Sequence, residues 1–460
     1  MFRKFIGDRA FYRRVLMVAV PIIIQNGITN FVSLLDNIMV GQVGTAQMSG
    51  VSIVNNLLFV FNMCVFGATS GAGIFTAQFH GSQDQAGVRH TFRFKVLVCL
   101  ALAAAGIGIF LGGGRELVTL YLQGEGDAET IAASLEYGMG YLKIMLLGLA
   151  PFALTNAYSG TLRECEETMV PMVAGICAVF VNLGLNYVLI FGHFGAPALG
   201  VNGAAIATVV SRYVELAIVA LWTHLNPVKN PFIKGAYHSL HIPGRLFKAI
   251  CIKGLPLLVN EFFWSTGMAF LNQCYTTRGL DVVGAMNISS TLSNLANVVF
   301  LAMGNAVGII IGQMLGSGAS EAEVHDADRK LIFVSVASCA LFGGLMASLS
   351  GLFPQIYNTT DSIRGLATVL ICVCAIIMPF NAYSTAAYFT LRSGGQTVVT
   401  FLFDSCFVWL AMVPAAFLLS RFTTMPIVPL YAVCQGMELL KCIVGYWMIR
   451  QGSWIQNLTT

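Results

Sequence analysis

The sequence predicts an all-α polytopic membrane protein, with twelve transmembrane helices in two parallel, pseudo-symmetric six-helix lobes. Three observations predict it. Hydrophobic residues make up 57% of the 460-residue chain and charged residues only 10%, where soluble domains carry about 25% charged residues. Apolar segments that reach the roughly 20 residues needed to cross a bilayer recur along the whole chain. The second half of the chain also repeats the first at a nearly constant spacing.

The N-terminal stretch MFRKFIGDRAFYRR is basic and amphipathic and lacks a small-residue cleavage site. It reads as an interfacial anchor and not as a signal peptide. Six spans follow, at 15–39, 50–78, 94–112, 137–159, 168–192 and 197–223. The longest polar interruption, 223–248, is rich in Pro, Lys and His and falls at the midpoint. Six more spans occupy 249–275, 284–314, 330–353, 365–390, 396–420 and 425–448. The expected lobes are therefore 1–228 and 229–460, with 223–248 as a cytoplasmic linker.

An even number of spans puts both termini on one side. The termini and the loops on their side hold 18 of the 25 basic residues, and the opposite loops hold only Arg115, Arg278, Arg364 and Arg421. The positive-inside rule then places both termini in the cytoplasm of a plasma membrane. Gly124 and Thr359 are expected outside, and Tyr237 and Ser320 inside.

The repeat is direct. At an offset of 235, Pro21, Asn62, Gly73, Gln78 and Gly81 meet identical residues at Pro256, Asn297, Gly308, Gln313 and Gly316. At an offset of 229, Thr161-Leu162-Arg163 meets Thr390-Leu391-Arg392. Tandem halves with an even number of helices each are the architecture of transporters that rock around a midplane site.

The first span carries the sharpest chemical signal. Residues 21–40, PIIIQNGITNFVSLLDNIMV, include an aspartate inside an apolar helix, and an intramembrane carboxylate is functional by default. At about 100° per residue, Thr29, Ser33 and Asp36 share one face and Asn26, Asn30 and Asn37 extend it. That arc faces either other helices or water. On the fifth span Asn182 and Asn186 lie one turn apart, where their amide oxygens could join Asp36 as hard ligands for Na⁺.

The seventh span repeats the theme with Glu261, Ser265, Met268 and Asn272 on one face. The eighth carries Asn287, Ser290, Asn294, Asn297 and Asn305 on one stripe, matched in the second span by Ser52, Asn55, Asn62 and Ser70, with Phe59 interrupting. Such stripes read as the lining of a shared cleft. Asp404 is a third buried acid, either functional or the partner of a neighbouring amide or of the Arg392 region. Glu261, Trp264, Asn287, Asn294, Tyr383 and Asp404 are the expected substrate-binding residues, since carboxylates and aromatic faces suit a flat organic cation. Arg212 with Glu215, and Glu438 with Lys441, read as structural i, i+3 pairs.

Other classes find little support. A net charge of +4 is too small to suggest nucleic acid. The 12 cysteines lie mostly in apolar segments without a CxxC, and the seven histidines lie singly, so no disulfide or metal framework is expected. Walker A, HExxH and GxSxG signatures are missing, which argues against an enzyme.

Pro21 followed by Asp36 and the Val40-Gly41 exit, GTLRECEET at 160–168, the run 186–212 and LRSGGQT at 391–397 together resemble the multidrug and toxic compound extrusion (MATE) family. The likeness covers nearly the whole chain. It implies a secondary antiporter that exports organic cations or xenobiotics in exchange for Na⁺ or H⁺. It also implies an ion site on Asp36 and Asn182, joined by Thr208. Two departures stand out. Asn186 occupies a position where some members carry a second acid. Glu261 lies closer to its proline than the corresponding acid of others, whose tenth-span acid is absent here.

A lipid-linked oligosaccharide flippase of related architecture is the alternative. It would need several basic residues in the cleft, and only Lys143, Arg212 and Lys441 are intramembrane. No cofactor is expected beyond the coupling ion, with small organic cations and membrane lipids as partners and a monomer as the working unit. Asp36 is expected to serve the ion, and Glu261 the cationic substrate.

Overall fold

The structure, a computed structural model, describes residues 5–122, 128–357 and 359–459, without the side chains of residues 34, 37, 45, 121, 122, 128 and 280. Gly124 and the side chain of Asn37 therefore lie outside the described residues. The helices are α1 (Arg9–Gly41), α2 (Thr45–Gly81), α3 (Gln85–Leu122), α4 (Ala128–Met145), α5 (Leu149–Glu164), α6 (Met169–Phe191) and α7 (Val201–Leu225). After the midpoint come α8 (Gly244–Thr276), α9 (Leu280–Gly316), α10 (Glu321–Leu349), α11 (Asp361–Ser393), α12 (Thr397–Phe401), α13 (Val413–Phe422), α14 (Ile427–Gly436) and α15 (Glu438–Gln451).

A 3₁₀ turn, Leu146–Gly148, joins α4 and α5 into a single span. Between α12 and α13 the chain is π-helical over Leu402–Cys406 and Val408–Met412. Eleven stretches of the described residues are long and apolar enough to cross a membrane. The twelfth helix, α8, has 33 residues with Asn260 and Glu261 at its middle. The helices outrun the predicted spans where capping chemistry supports them in water. Ser320 accepts from the Glu323 amide, and the Glu323 carboxylate accepts from the Ser320 amide at 2.9 Å, so α10 begins nine residues before the expected span.

The chain forms two compact units. The N unit comprises Ile24–Thr76 and Gln85–Ile250; the C unit comprises Met1–Ile23, Ala77–Asp84 and Cys251–Thr460. Residues 229–250 thus go with the helices before them. Phe232, 2% exposed, packs on the fully buried Phe92 with ring centroids 5.4 Å apart. Arg93 donates to the carbonyls of Ala236 at 2.7 Å, Gly235 at 2.8 Å and His241 at 3.1 Å. The Tyr237 and Tyr158 hydroxyls lie 2.5 Å apart, and burial holds the Tyr237 hydroxyl above its ordinary pKa. A stretch rich in Pro and Lys is therefore not a free tether. Arg93, together with Arg89, which donates to the Phe232 carbonyl at 3.1 Å, fixes its backbone.

In the C unit, α9 carries glycines at 304, 308, 312 and 316, four residues apart and so on one face. Small residues let membrane helices approach until backbones touch, since lipid offers no hydrophobic drive between them. A Cβ at Gly304 or Gly308 would meet the Phe389 ring of α11, and at Gly312 the Ala77 side chain. The crossing closes reciprocally. A Cβ at Gly316 would run into the Gln78 carbonyl, and one at Gly81 into the Gln313 carbonyl. Both glycines and both glutamines are repeat mates. Gln78, fully buried, then donates to the Ser393 and Gln456 carbonyls at 2.9 and 3.1 Å and accepts from the Leu458 amide at 2.7 Å.

Gly316→Val should therefore lower thermal stability by about 1–3 kcal/mol or more, as overpacking does. Gly365→Ala, with nothing within 4 Å of its Cβ, should leave the melting temperature in detergent unchanged. Equal effects of the two substitutions would contradict the close crossing.

Candidate functional site

On the face of α1 that carries Asp36, the neighbouring hydroxyls are already used. Thr29 donates to the Gln25 carbonyl at 2.9 Å and Ser33 to the Thr29 carbonyl at 3.0 Å. Asp36 is left to find partners on other helices. Asn186 of α6 donates to its Oδ1 at 2.7 Å. One end of the Asn182 amide lies 3.0 and 3.1 Å from the two carboxylate oxygens, and the other lies 3.3 Å from the Thr208 amide and hydroxyl on α7. Beside an ionised carboxylate only the nitrogen satisfies the first position. The carboxylate is thus held by two neutral amides and, among the described residues, by no basic side chain.

The Asn186 oxygen, buried with its residue at 1% exposure, has no hydrogen-bond partner among the described residues. Asp36, Asn186 and Thr208 border a cavity of about 300 Å³ whose other polar walls are Ser33, Asn55, Asn62, Tyr141 and Arg212. The Asn62 oxygen is likewise buried without a partner, and Tyr141 donates to Asn55 at 3.3 Å. The donor set is one carboxylate with amide and hydroxyl oxygens, which fits a hard cation such as Na⁺, or a proton on Asp36. The structure brings together all four expected ion-site residues, Asp36, Asn182, Asn186 and Thr208. Among the described residues no group of three or more His, Cys, Asp or Glu side chains is arranged to hold a metal.

Arg212 departs from expectation. No ion pair joins it to Glu215 among the described residues. Its Nη1 donates to the Gly148 carbonyl at 3.2 Å, and its guanidinium lies 4.9 Å from the centre of the Phe152 ring. Glu215 sits in the fields of both Arg163 and Arg212. The 3₁₀ turn between α4 and α5 presents that carbonyl, which no i, i+3 rule could indicate.

In the C unit, Asp404 lies on the π-helical stretch Leu402–Cys406 and is neutralised from α15. Lys441 Nζ is 2.6 Å from its Oδ1 and 3.8 Å from Glu438. The main partner of Lys441 is thus Asp404, and the expected Glu438–Lys441 pair is secondary. Asn260 of α8 donates to Asp404 Oδ2 at 3.2 Å and to the Tyr388 hydroxyl at 3.4 Å, and accepts from Ser405 at 2.6 Å. Glu261, next in sequence, is half-buried within the fields of Arg392 and Asp404 and makes no ion pair among the described residues.

The other expected substrate residues are dispersed. Trp264 is 38% exposed. Asn287 and Asn294 lie exposed on α9. Tyr383 packs beside the core that contains Ala386 and Phe389, in the field of Asp328. Of these residues, only Glu261 and Asp404 share one cluster.

A helical bundle with a polar, carboxylate-bearing cavity inside one half has the form of a membrane transporter. A family model described as MatE matches residues 21–188 and 256–418, and the chain belongs to that family. The two matches begin at Pro21 and Pro256, the repeat mates read from the sequence. Similar curated proteins include "Probable multidrug resistance protein NorM" of Thermotoga maritima, 24% identical over 89% of this chain and 86% of that one. The protein of the same name from Shewanella oneidensis is 24% identical over 86% and 84%. Among solved structures, an "Outward-facing conformation of a multidrug resistance MATE family transporter of the MOP superfamily" superposes with a TM-score of 0.86 at 18% identity. That likeness covers 98% of both chains.

Removing Lys441 strands a buried carboxylate, which typically costs about 3–5 kcal/mol. Lys441→Ala should therefore destabilise the protein strongly, and Asp404→Asn added to it should restore more than half of the loss. A double-mutant cycle by thermal unfolding checks this; additive losses would refute the pairing.

Proposed function

We propose that this MatE-family transporter is a secondary active antiporter that exports organic cations and other xenobiotics in exchange for Na⁺ or H⁺ by alternating access. One observation carries the reading. Asp36 is held by amides alone, beside the unpartnered Asn186 oxygen, and faces a polar cavity. A carboxylate kept that way retains its affinity for a mobile cation, whereas Asp404 already has a fixed one in Lys441. The names of the NorM relatives support multidrug export.

On this reading Asp36, with Asn182, Asn186 and Thr208, holds the coupling cation or proton. Glu261, unpaired beside exposed Phe262, Phe263 and Trp264, takes the positive charge of substrate in the other half. Exchange follows when the two ligands favour opposite states of one inward–outward equilibrium. The protein works as a monomer in the plasma membrane with both termini in the cytoplasm.

Asp36→Asn keeps the side chain's shape and removes its charge. It should reduce gradient-driven ethidium export in proteoliposomes to near background, about ten-fold or more, because a charged partner contributes about 1.5–3 kcal/mol. Export that survives at the wild-type rate would sink the assignment. Imposing Na⁺ and proton gradients separately identifies the coupling ion.

Topology has its own check. A cysteine introduced at Thr359 should react with an impermeant maleimide in intact cells, and one at Ser320 only after permeabilisation. Labelling of residue 320 from outside would invert the assignment.

A further inference from the structure

The connection from α7 to α8 carries charge of one sign only. Between Glu215 and Glu261 the chain has no Asp or Glu, and residues 226–248 include Lys229, Lys234, Arg245 and Lys248. All four are exposed, and none has an ion pair among the described residues. Arg89 and Arg93 tie the connection to α3 through the carbonyls of Phe232, Gly235, Ala236 and His241. Apolar side chains stand among the outward cations. Leu225 is 76% exposed, Val228 84% and Leu240 55%. Lys229 Nζ lies 5.9 Å from the centre of the Trp222 ring, a pairing in which the indole and the lysine stem are apolar and the ammonium is wet.

Folding the chain back after a last helix does not require these charges. In the C unit the segment after α15 does the same, and its Gln456 and Ser453 carbonyls accept from Gln78 and Gln396, each at 3.1 Å. That segment, 451–460, has no charged residue, and its Trp454 is fully buried. The N-unit connection is anchored by its backbone in the same way, yet it turns cations and apolar side chains outward. Exposed leucine beside unpaired lysine suits neither bulk water nor the bilayer core. It suits their boundary, where negative head groups lie over acyl chains.

We infer that the α7–α8 connection is a docking surface for anionic phospholipid. Lys229, Lys234, Arg245 and Lys248 take the phosphate-bearing head groups, and Leu225, Val228 and Leu240 enter the acyl boundary. On the topology proposed above it meets the cytoplasmic leaflet, whose surface is negative. Because α3 already fixes the connection, lipid binds without having to order it. Neither the coupling ion nor the substrate enters this reading.

Native mass spectrometry of the purified full-length protein in detergent tests it, with dioleoyl phosphatidylglycerol and dioleoyl phosphatidylcholine as the added lipids. Wild-type protein should retain phosphatidylglycerol about ten-fold more tightly or better, since each cation at a charged surface is worth about five-fold. Lys234→Gln alone should weaken it by about that five-fold, and changing all four cations to Gln should abolish the preference. Exchanging each Lys for Arg and Arg245 for Lys should keep it. Leu225→Ser with Val228→Ser should weaken both lipids. Arg9→Gln with Arg13→Gln, exposed cations of α1, should leave the preference as it is.

A preference that survives the four Gln changes, or that the α1 pair removes as fully, would reflect positive charge in general and overturn the inference. So would glycerol 3-phosphate that competes as well as the lipid, because the apolar half would then play no part. The four-Gln variant should melt in detergent like the wild type; a large loss would make the cations part of the fold and overturn the inference too. Export is not the readout, so the antiporter reading stands or falls separately.

Discussion

Moving an ionised carboxylate out of water costs several kcal/mol even after the protein relaxes, so each acid inside these helices must be held by something. The two units solve the problem differently. In the C unit, Asp404 meets an ammonium from α15 at 2.6 Å and an amide from α8, and its charge is neutralised permanently. In the N unit, Asp36 meets only amides among the described residues. Amides solvate a charge without cancelling it. The helices around Asp36 keep donors in position and basic groups at a distance. The nearest guanidinium in the cavity wall is anchored instead to the backbone at Gly148.

The same asymmetry appears where the tandem halves should be most alike. The Thr-Leu-Arg motif occurs in both, and in both its threonine is buried and contacts a charged residue of a preceding helix. Thr161 accepts from Lys95 at 3.2 Å, and that lysine is also paired with Glu164. Thr390 donates to Asp328, 1% exposed, at 2.5 Å. A hydroxyl both donates and accepts, so one residue serves a cation in one half and an anion in the other. The threonine is kept in both halves, and its charged partner comes from a different position in each. The first seam departs in the same way: Gln25 accepts from Arg163 at 2.6 Å, while its repeat mate Asn260 bonds to Asp404 and Tyr388.

What was legible in the sequence is what depends on period, composition and repetition. Asp36 stood out because a lone carboxylate in an apolar run is rare, and Asn182 and Asn186 because a four-residue step puts both on one face. The pairing of Lys441 with Asp404 was not legible. The two are 37 residues apart on different helices, and the nearer Glu438 satisfied the local rule while the geometry favoured the distant acid. Arg212 was misread in the same way. Residues 223–248 read as a linker because proline and lysine are exposed-loop residues, yet Arg93 of α3 holds three of its carbonyls. The four-residue glycine series on α9 was present in the sequence. Its meaning emerges only with the repeat, because Gly316 and Gly81 face each other's glutamine.

On the antiporter reading, an amide is an apt ligand for a site that must be both empty and filled. Asn182 turns its nitrogen to the carboxylate and its oxygen to Thr208. Turned over, the same side chain would offer its oxygen to a cation or proton on the Asp36 side. A second acid at residue 186 would fix a charge of minus two and hold a cation tightly in either state. Asn186 leaves minus one, with a neutral oxygen in reserve. On the antiporter reading, that composition favours a cation bound weakly enough to leave.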